Sequence, residues 1–543
     1  MGSKISRRDF IRTSVISGAA LGLGFAGGSI IRANNRFDTI IKGGIIYNGE
    51  GGRPYPAEIG IKDGKITAMA TSLGESADNV VDARGAAVSP GFIDIHTHTD
   101  DNMFSAPLGD SKIYQGVTTD IAGNCGGSPF PGKKWENLDN FFGDMSAQQN
   151  GINLGSFVGQ GQLREFVVGE NDVRATTEQL ERMKSILELQ MEQGAMGISC
   201  GLEYTPGSYA TNEEIAELCK VVAKYGGLFA IHMRNEDDRV EESVAESIDI
   251  ARAAGVKLQI SHLKAQNAAN WHKAPALLRQ IEQARAGGLD IAFDRYPYTA
   301  FSTGMSTFIP LSERQGTKDE IIARLKDDTI SGKIGEYAMS RIKRLGGPQN
   351  VVVTSCKQED NKRFIGLNVE ECSKLTGKDP WPFIRDLLIE ERVSVSIIGF
   401  AMTEENVKMF LSHPLGMPAS DGSVYSPEGP LGQSMPHPRS YGTFPRFIGK
   451  YCREESLMSV AEAVKKCTML PAERLGLKNR GLLIPGYQAD IVVFDTEKII
   501  DTATFAQPHQ FAAGINEVLV NGVWTISNGS PTGNMGGGVL RRG

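Results

Sequence analysis

His96 and His98 close the run Gly91-Phe-Ile-Asp-Ile-His96-Thr-His98, two imidazoles separated by a single residue. On a β-strand, residues two apart project to the same side, so both rings aim one way and can share one metal ion. His232 follows the apolar run 228–231, and His262 follows the run 258–261. A histidine ending one apolar run is most simply a structural group. Two of them beside an HxH pair point instead to a metal cluster. Cys125, in Gly123-Asn-Cys125-Gly-Gly127, ends another β-like run; it reads either as a thiolate ligand for zinc or as a buried thiol. Asp421, in Ala419-Ser-Asp421-Gly422, is either a site carboxylate or a turn-forming Asx.

Around these candidates stand groups suited to holding a substrate. Lys264 lies two residues beyond His262 and faces the same side if the strand continues. Arg439 offers a planar fork that fits both oxygens of a carboxylate. The alternative for each is a solvated surface charge. His437 is placed to shape the loop that carries Arg439. Arg234 and Glu236, two and four residues past His232, fit either site partners or a structural ion pair. Arg295 fits either recognition of an acidic side chain or a structural pair. His272, His413 and His509 fall in no motif and belong on the surface or in helices. The cysteines number seven, with no CxxC spacing, and make no disulfide framework.

The elements that must position these residues alternate between apolar runs and helix-like stretches, the mark of parallel βα units. The runs are 88–98, 117–123, 154–159, 196–201, 228–232, 258–262, 291–296 and one ending before Asp421. Eight strands with helices between them predict an α/β fold, a closed (β/α)8 TIM-type barrel whose site lies at the carboxyl ends of the strands. An open doubly wound sheet is the rival, but no GxGxxG follows a strand. Short β-like runs with Asp63-Gly64 and Asn521-Gly522 turns occur near both ends of the chain. They predict a small β-sandwich built from residues 36–90 and 480–530, with the barrel over 91–479. A charged helical insertion at about 310–350 is expected to act as a lid.

Net charge is −7 over 543 residues, and the first 35 carry +4, which leaves −11 for the rest. An acidic body argues against nucleic acid as a partner. The amino terminus, Ser6-Arg7-Arg8-Asp9-Phe10, precedes a weakly apolar stretch to about residue 31 and reads as a twin-arginine leader. The expectations are a periplasmic protein handled by the twin-arginine machinery, with no stable membrane insertion. Oligomeric state is left open.

The motifs GFIDIHTHTD (91–100), GVTTDIAGNCG (116–126), GLEYTPGSYA (201–210), IHMRNE (231–236), ISHLK (260–264), FDRYPYTA (293–300), PASDG (418–422) and HPRSYGTFPR (437–446), with the tail 470–495, resemble in order the N-acyl-D-amino-acid deacylase (D-aminoacylase) family of the amidohydrolase superfamily. The resemblance runs from about Phe37 to about Gly529. It implies a metal-dependent amidohydrolase in which Cys125, His232 and His262 hold one tight zinc. His96 and His98, with Asp421, form a second, weaker metal position. It also implies that Asp421 is the catalytic acid/base, and that Tyr204, Lys264 and Arg439 hold the α-carboxylate of an N-acyl amino acid. The alternatives are a dipeptidase acting on D-containing or N-blocked peptides, a cyclic-amide hydrolase of hydantoinase or dihydroorotase type, and an exported zinc- or ligand-binding protein without turnover.

Overall fold

A computed structural model of the chain describes residues 36–74 and 76–542; the expected leader lies outside the described residues. The chain opens with β1 (Phe37–Ile46), β2 (Tyr55–Lys62), β3 (Lys65–Ala70), β4 (Ala77–Asp82) and β5 (Ala87–Pro90). The barrel follows with β6 (Phe92–Asp94), β7 (Val117–Ala122), β8 (Asn153–Ser156), its continuation β9 (Val158–Gly159), β10 (Gly197–Gly201), β11 (Leu228–His232), β12 (Lys257–Ile260) and β13 (Ile291–Arg295). After an insertion carrying β14 (Ala300–Gly304), β15 (Val351–Ser355) and β16 (Ser396–Phe400), β17 (Gly416–Pro418) supplies the last barrel strand. The chain ends in β18 (Ile491–Phe494), β19 (Ile515–Val520), β20 (Val523–Ser527) and β21 (Ser530–Pro531).

The expected eight-stranded barrel is present. The order β17-β13-β12-β11-β10-β9 is parallel throughout, and β6-β7-β8 forms a second parallel set. The β8–β9 strand joins the two sets at one seam, and a parallel bridge between Thr97 and Gly422 joins them at the other. Period-two alternation decides what faces inward. In β11, Leu228 and Ala230 enter the barrel interior while Phe229 and Ile231 pack on the outer helices. His232 continues the inward series. The interior is filled by Ile93, Ile121, Phe157, Met196, Ala292 and Met417, so the barrel is a packed core with a site at one end.

Both chain ends meet in one hydrogen-bonded sheet, with β18 pairing β5. The sheet branches at β1, which pairs β2, β4 and β5. Ile491 and Val493 of β18 face the small sheet's core, and Val492 and Phe494 pack against the barrel's outer layer. The Asn521-Gly522 turn closes the hairpin β19–β20 with both residues at positive φ, 51° and 81°, the type I′ geometry that matches strand twist.

Two expectations need correction. The run 88–98 is not one strand, because Gly91 separates β5 of the small sheet from β6 of the barrel. The insertion is larger than 310–350. It begins at β14, ends after β16, and has an antiparallel three-stranded sheet and its own core, including Phe308, Ile334, Val353, Phe383 and Ile397. No helix among the described residues is long and apolar enough to cross a membrane.

Candidate active site

The six expected ligands converge at the carboxyl end of the barrel strands. Cys125 Sγ lies 3.3 Å from His96 Nε2, 3.6 Å from His262 Nε2 and 3.8 Å from His232 Nδ1. Asp421 Oδ1 lies 3.0 Å from His98 Nε2 and 3.4 Å from His96 Nε2. Donor atoms of His96, Cys125, His262 and Asp421 all fall within 4.8 Å of one another. His232 Nδ1 sits 2.9 Å from His262 Nε2, which links it to the same centre. Side-chain positions alone therefore do not divide the six into a tight and a weak set. His98 is the outermost, its side chain 39% exposed where that of His96 is 1%.

The local fold explains these positions. Hydrogen-bonded strand β6 stops at Asp94, so His96 and His98 stand beyond it, held by Thr97 N donating to Ile121 O and His98 N donating to Gly422 O. Cys125 is carried on a tight turn. Ser199 Oγ donates to Gly123 O at 2.5 Å and accepts from Gly126 N at 3.0 Å. A Cβ at Gly201 would lie 2.0 Å from Cys125 O, so only glycine lets β10 approach this turn.

Three acidic residues outside the expected set orient the imidazoles. Asp294 Oδ1 lies 3.1 Å from His96 Nδ1 and accepts from the His262 backbone N at 2.8 Å, leaving His96 Nε2 to face the centre. Glu203 Oε2 lies 3.4 Å from His232 Nε2. Glu236 Oε1 lies 3.1 Å from His262 Nδ1 and 2.6 Å from Lys264 Nζ. Carboxylates in these places fix ring orientation and raise ligand basicity. Glu236 is thus a site partner, whereas Arg234 pairs with Glu246 at 3.0 Å away from the centre. The signal for Asp294 was its place in β13, two residues after inward-facing Ala292. Glu203 had no comparable signal.

The electrostatics favour a cation at the centre. Burial works against the Cys125 thiolate, yet the ring nitrogens of His96, His232 and His262 outweigh it and hold the thiol well below its usual range. Burial also opposes the His232 cation, but Glu236, Cys125 and Glu203 lift its pKa to about 10. At His98, Asp421 and Cys125 overcome burial and lift it to about 9. A buried thiolate among carboxylates draws positive charge, and His232 Nδ1 and His262 Nε2 both turn toward the Cys125 sulfur. A thiolate, imidazoles and a carboxylate are the donor set that zinc takes. The residues present fit the metal.

Tyr204, Lys264 and Arg439 all line one cavity of about 410 Å³ together with the cluster. Arg439 Nη1 lies 2.7 Å from Asp421 Oδ2, but its N–H directions miss the carboxylate and leave a buried donor without a hydrogen bond. The Tyr296 hydroxyl is likewise buried and unpartnered among the described residues, and its ring lies 4.9 Å from the Arg439 guanidinium carbon. In the sequence Tyr296 stood out only as part of the motif FDRYPYTA (293–300). His437 accepts from Arg439 N at 3.0 Å and lies 2.9 Å from Ala300 O, so it does shape the Arg439 loop. Burial and the Arg439 charge hold His437 well below the usual imidazole range, which keeps it neutral. Arg295 does neither thing expected of it. It is buried away from the cavity, donates to Tyr298 O and stacks 4.2 Å over Tyr296. His272, His413 and His509 do not reach the cavity.

The sequence pattern of the amidohydrolase family matches residues 79–526. The N-acyl-D-glutamate deacylase of Alcaligenes xylosoxydans xylosoxydans is 33% identical over 523 residues, covering 93% of this chain and 97% of that protein. The D-aminoacylase of the same organism is 32% identical, covering 93% and 98%. The crystal structure of N-acyl-D-glutamate deacylase from Bordetella bronchiseptica, complexed with zinc and a phosphonate mimic of the tetrahedral intermediate, superposes with a TM-score of 0.80. It is 32% identical and covers 93% of this chain and 100% of that one.

Proposed function

Since the chain belongs to the amidohydrolase family and, within it, to the N-acyl-D-amino-acid deacylases, we propose that it hydrolyses the amide bond of N-acyl-D-amino acids, releasing a carboxylate and a free D-amino acid. The observation that carries this reading is a buried thiolate–imidazole–carboxylate cluster sharing one cavity with Lys264, Arg439 and Tyr204. Cys125, His232 and His262 would hold the tighter zinc, with His96, His98 and Asp421 as the second position. When bound, the metal supplies Lewis acidity to the amide carbonyl and makes water a nucleophile near neutral pH.

The rest of the chemistry belongs to the chain's own groups. Asp421 takes the proton of the attacking water on Oδ1 and returns it to the departing nitrogen, the part of a positioned general acid/base. Asp294, Glu203 and Glu236 hold the imidazoles in the tautomers the cluster needs. Lys264, Arg439 and Tyr204 bind the α-carboxylate, and Arg439 Nη1, which lies 2.7 Å from Asp421 Oδ2 without a hydrogen bond to it, supports that role. Fixing one end of the substrate there sets the amide over the cluster and turns binding into orientation.

The test is a panel of N-acetyl D- and L-amino acids, their α-amides, hydantoins and blocked dipeptides against purified zinc-loaded protein. Turnover confined to acyl amino acids, with D preferred, is expected. Faster cleavage of cyclic amides or peptides would replace the reading. The leader supports export by the twin-arginine route to the periplasm. Arg7 and Arg8 changed together to Lys are expected to keep the precursor inside the cell, and unchanged export would count against that route.

A further inference from the structure

Every cation that lines the cavity is matched with an acid. Lys264 Nζ meets Glu236 at 2.6 Å, Arg439 Nη1 meets Asp421 at 2.7 Å, and Arg341 Nη2 meets Glu203 at 2.8 Å. The first two pairs adjoin the cluster and belong to the carboxylate clamp proposed above. The third touches the cluster only through Glu203, which lies 3.4 Å from His232 Nε2, and its cation is supplied by the insertion. Arg341 comes from the insertion's helix Asp328–Arg344, and its Nη1 also donates to Thr307 O at 3.1 Å. Glu203 is fixed from a second direction, because Arg314 donates to its backbone carbonyl at 2.9 Å. The insertion therefore presents no cation free to meet a second carboxylate on a substrate.

Around that neutral pair the insertion's three strands line the cavity with Ser302, Thr303, Thr354, Ser355 and Ser396. Of these five hydroxyls, only that of Thr303 has a hydrogen-bond partner among the described residues, Tyr204 Oη at 3.3 Å. Hydroxyls both donate and accept, so they can satisfy a carboxamide or an alcohol from both sides. A carboxylate brings only acceptors and a charge for which the Arg341–Glu203 pair offers no net counter-charge. An alkyl group satisfies none of them.

Resting on the deacylase reading, we propose that the subsite built by the insertion takes an uncharged, hydrogen-bonding side chain of the D-amino acid, with the carboxamide of D-glutamine as its type. The Arg341–Glu203 pair excludes acidic side chains, and the hydroxyl wall favours polar over apolar ones.

The test uses three substrates of similar shape, N-acetyl-D-glutamine, N-acetyl-D-glutamate and N-acetyl-D-methionine, with the full zinc-loaded protein. kcat/KM for glutamine is expected to exceed that for glutamate by at least about tenfold, the order set by an uncompensated buried charge. It is expected to exceed methionine by roughly 2- to 10-fold, the range of a net hydrogen bond. Glu203→Gln keeps the shape and frees Arg341, so the glutamate-to-glutamine ratio should rise about tenfold. Because Glu203 touches His232, zinc content is measured alongside, and the ratio within the variant cancels any common loss. Preference for glutamate in the wild type, preference for methionine, or a ratio unmoved by Glu203→Gln each overturns the proposal. So does turnover of other D-amino acids with none of these three cleaved. Failure to cleave any N-acyl-D-amino acid is a different result and overturns the deacylase reading itself.

Discussion

Replacing Lys112 with Met removes a cation from the interior and loosens the turn that carries Asp421. Lys112 is wholly buried. Its Nζ donates to Asp94 Oδ2 at 2.8 Å and to Ser420 Oγ at 2.7 Å, with Asp120 Oδ2 at 3.6 Å. Asp94 Oδ1 accepts from Ser420 N at 2.9 Å, and Ser420 Oγ accepts from Gly422 N at 3.0 Å, so both neighbours of Asp421 are pinned by this one cluster. Breaking a buried ion pair by removing one partner costs about 3–5 kcal/mol. With about 2.1 cal/mol/K of unfolding entropy per residue and roughly 400 residues in the barrel, that lowers the barrel's midpoint by about 4–6 °C.

A pH arm follows from Asp120, whose carboxyl is pushed up to about 7 by burial while Lys112 holds it down. A carboxyl raised on folding contributes stability that is full below its unfolded pKa and is lost as pH rises through the folded value. Without Lys112 that value climbs further, so the deficit should be larger at pH 8 than at pH 5. Thermal unfolding by near-ultraviolet circular dichroism at matched zinc reads both effects. Steady-state kinetics should show kcat falling about 10- to 100-fold, since misplacing a reacting group by an ångström costs about that much, with KM changing less. Adding Asp94→Leu removes the stranded carboxylate and should recover stability without recovering kcat. If Lys112→Met melts within a degree of wild type and turns over normally, the cluster holds nothing that matters to Asp421.

Cys125→Ala should lose the tight zinc when the purified protein is measured by mass spectrometry of metals, and full retention would remove Cys125 from the ligand set. Asp421→Asn should keep its fold and bind substrate while kcat drops by about 10²- to 10⁴-fold, and near wild-type turnover would assign the proton to another group. Arg439→Ala should lose about 10- to 150-fold in kcat/KM, the size of one charge-assisted hydrogen bond. It should also lose most of the preference for an acyl amino acid over its α-amide. Arg439→Lys keeps the charge without the fork and should recover only part of the loss.

The barrel was legible because its strands are apolar runs that end in polar or small residues, and alternation alone sends His232 and Asp294 inward. The two-residue turns at Asp63-Gly64 and Asn521-Gly522 were legible because their backbone geometry selects Asn, Asp and Gly. The insertion's true extent was not. Its strands β14, β15 and β16 alternate with helices just as barrel units do, and only their antiparallel pairing separates them. Glu203 and Arg341 are 138 residues apart in sequence and meet only because the insertion folds back over the cavity. Arg295 misled for the opposite reason. Its charge stood out in the sequence, but the residue is buried away from the cavity and stacked on Tyr296.

What sequence spacing could least reveal is the backbone strain at the centre. Cys125, His262 and Asp421 have φ of 52°, 37° and 50°, in a region that residues with a Cβ rarely adopt. Each such residue costs on the order of 1–3 kcal/mol and persists only where its surroundings over-determine it. Those surroundings are visible at all three. Gly201 and Ser199 close on the Cys125 turn, Asp294 holds the His262 backbone, and the Lys112–Asp94–Ser420 cluster brackets Asp421. Strand alternation brings His232 to the barrel mouth. The remaining ligands lie beyond the ends of their strands, and three of them sit on turns that leave the strand geometry. The buried polar clusters beneath the site therefore hold three unfavourable turns in place, and only with those turns held can a thiolate, an imidazole and a carboxylate face one another.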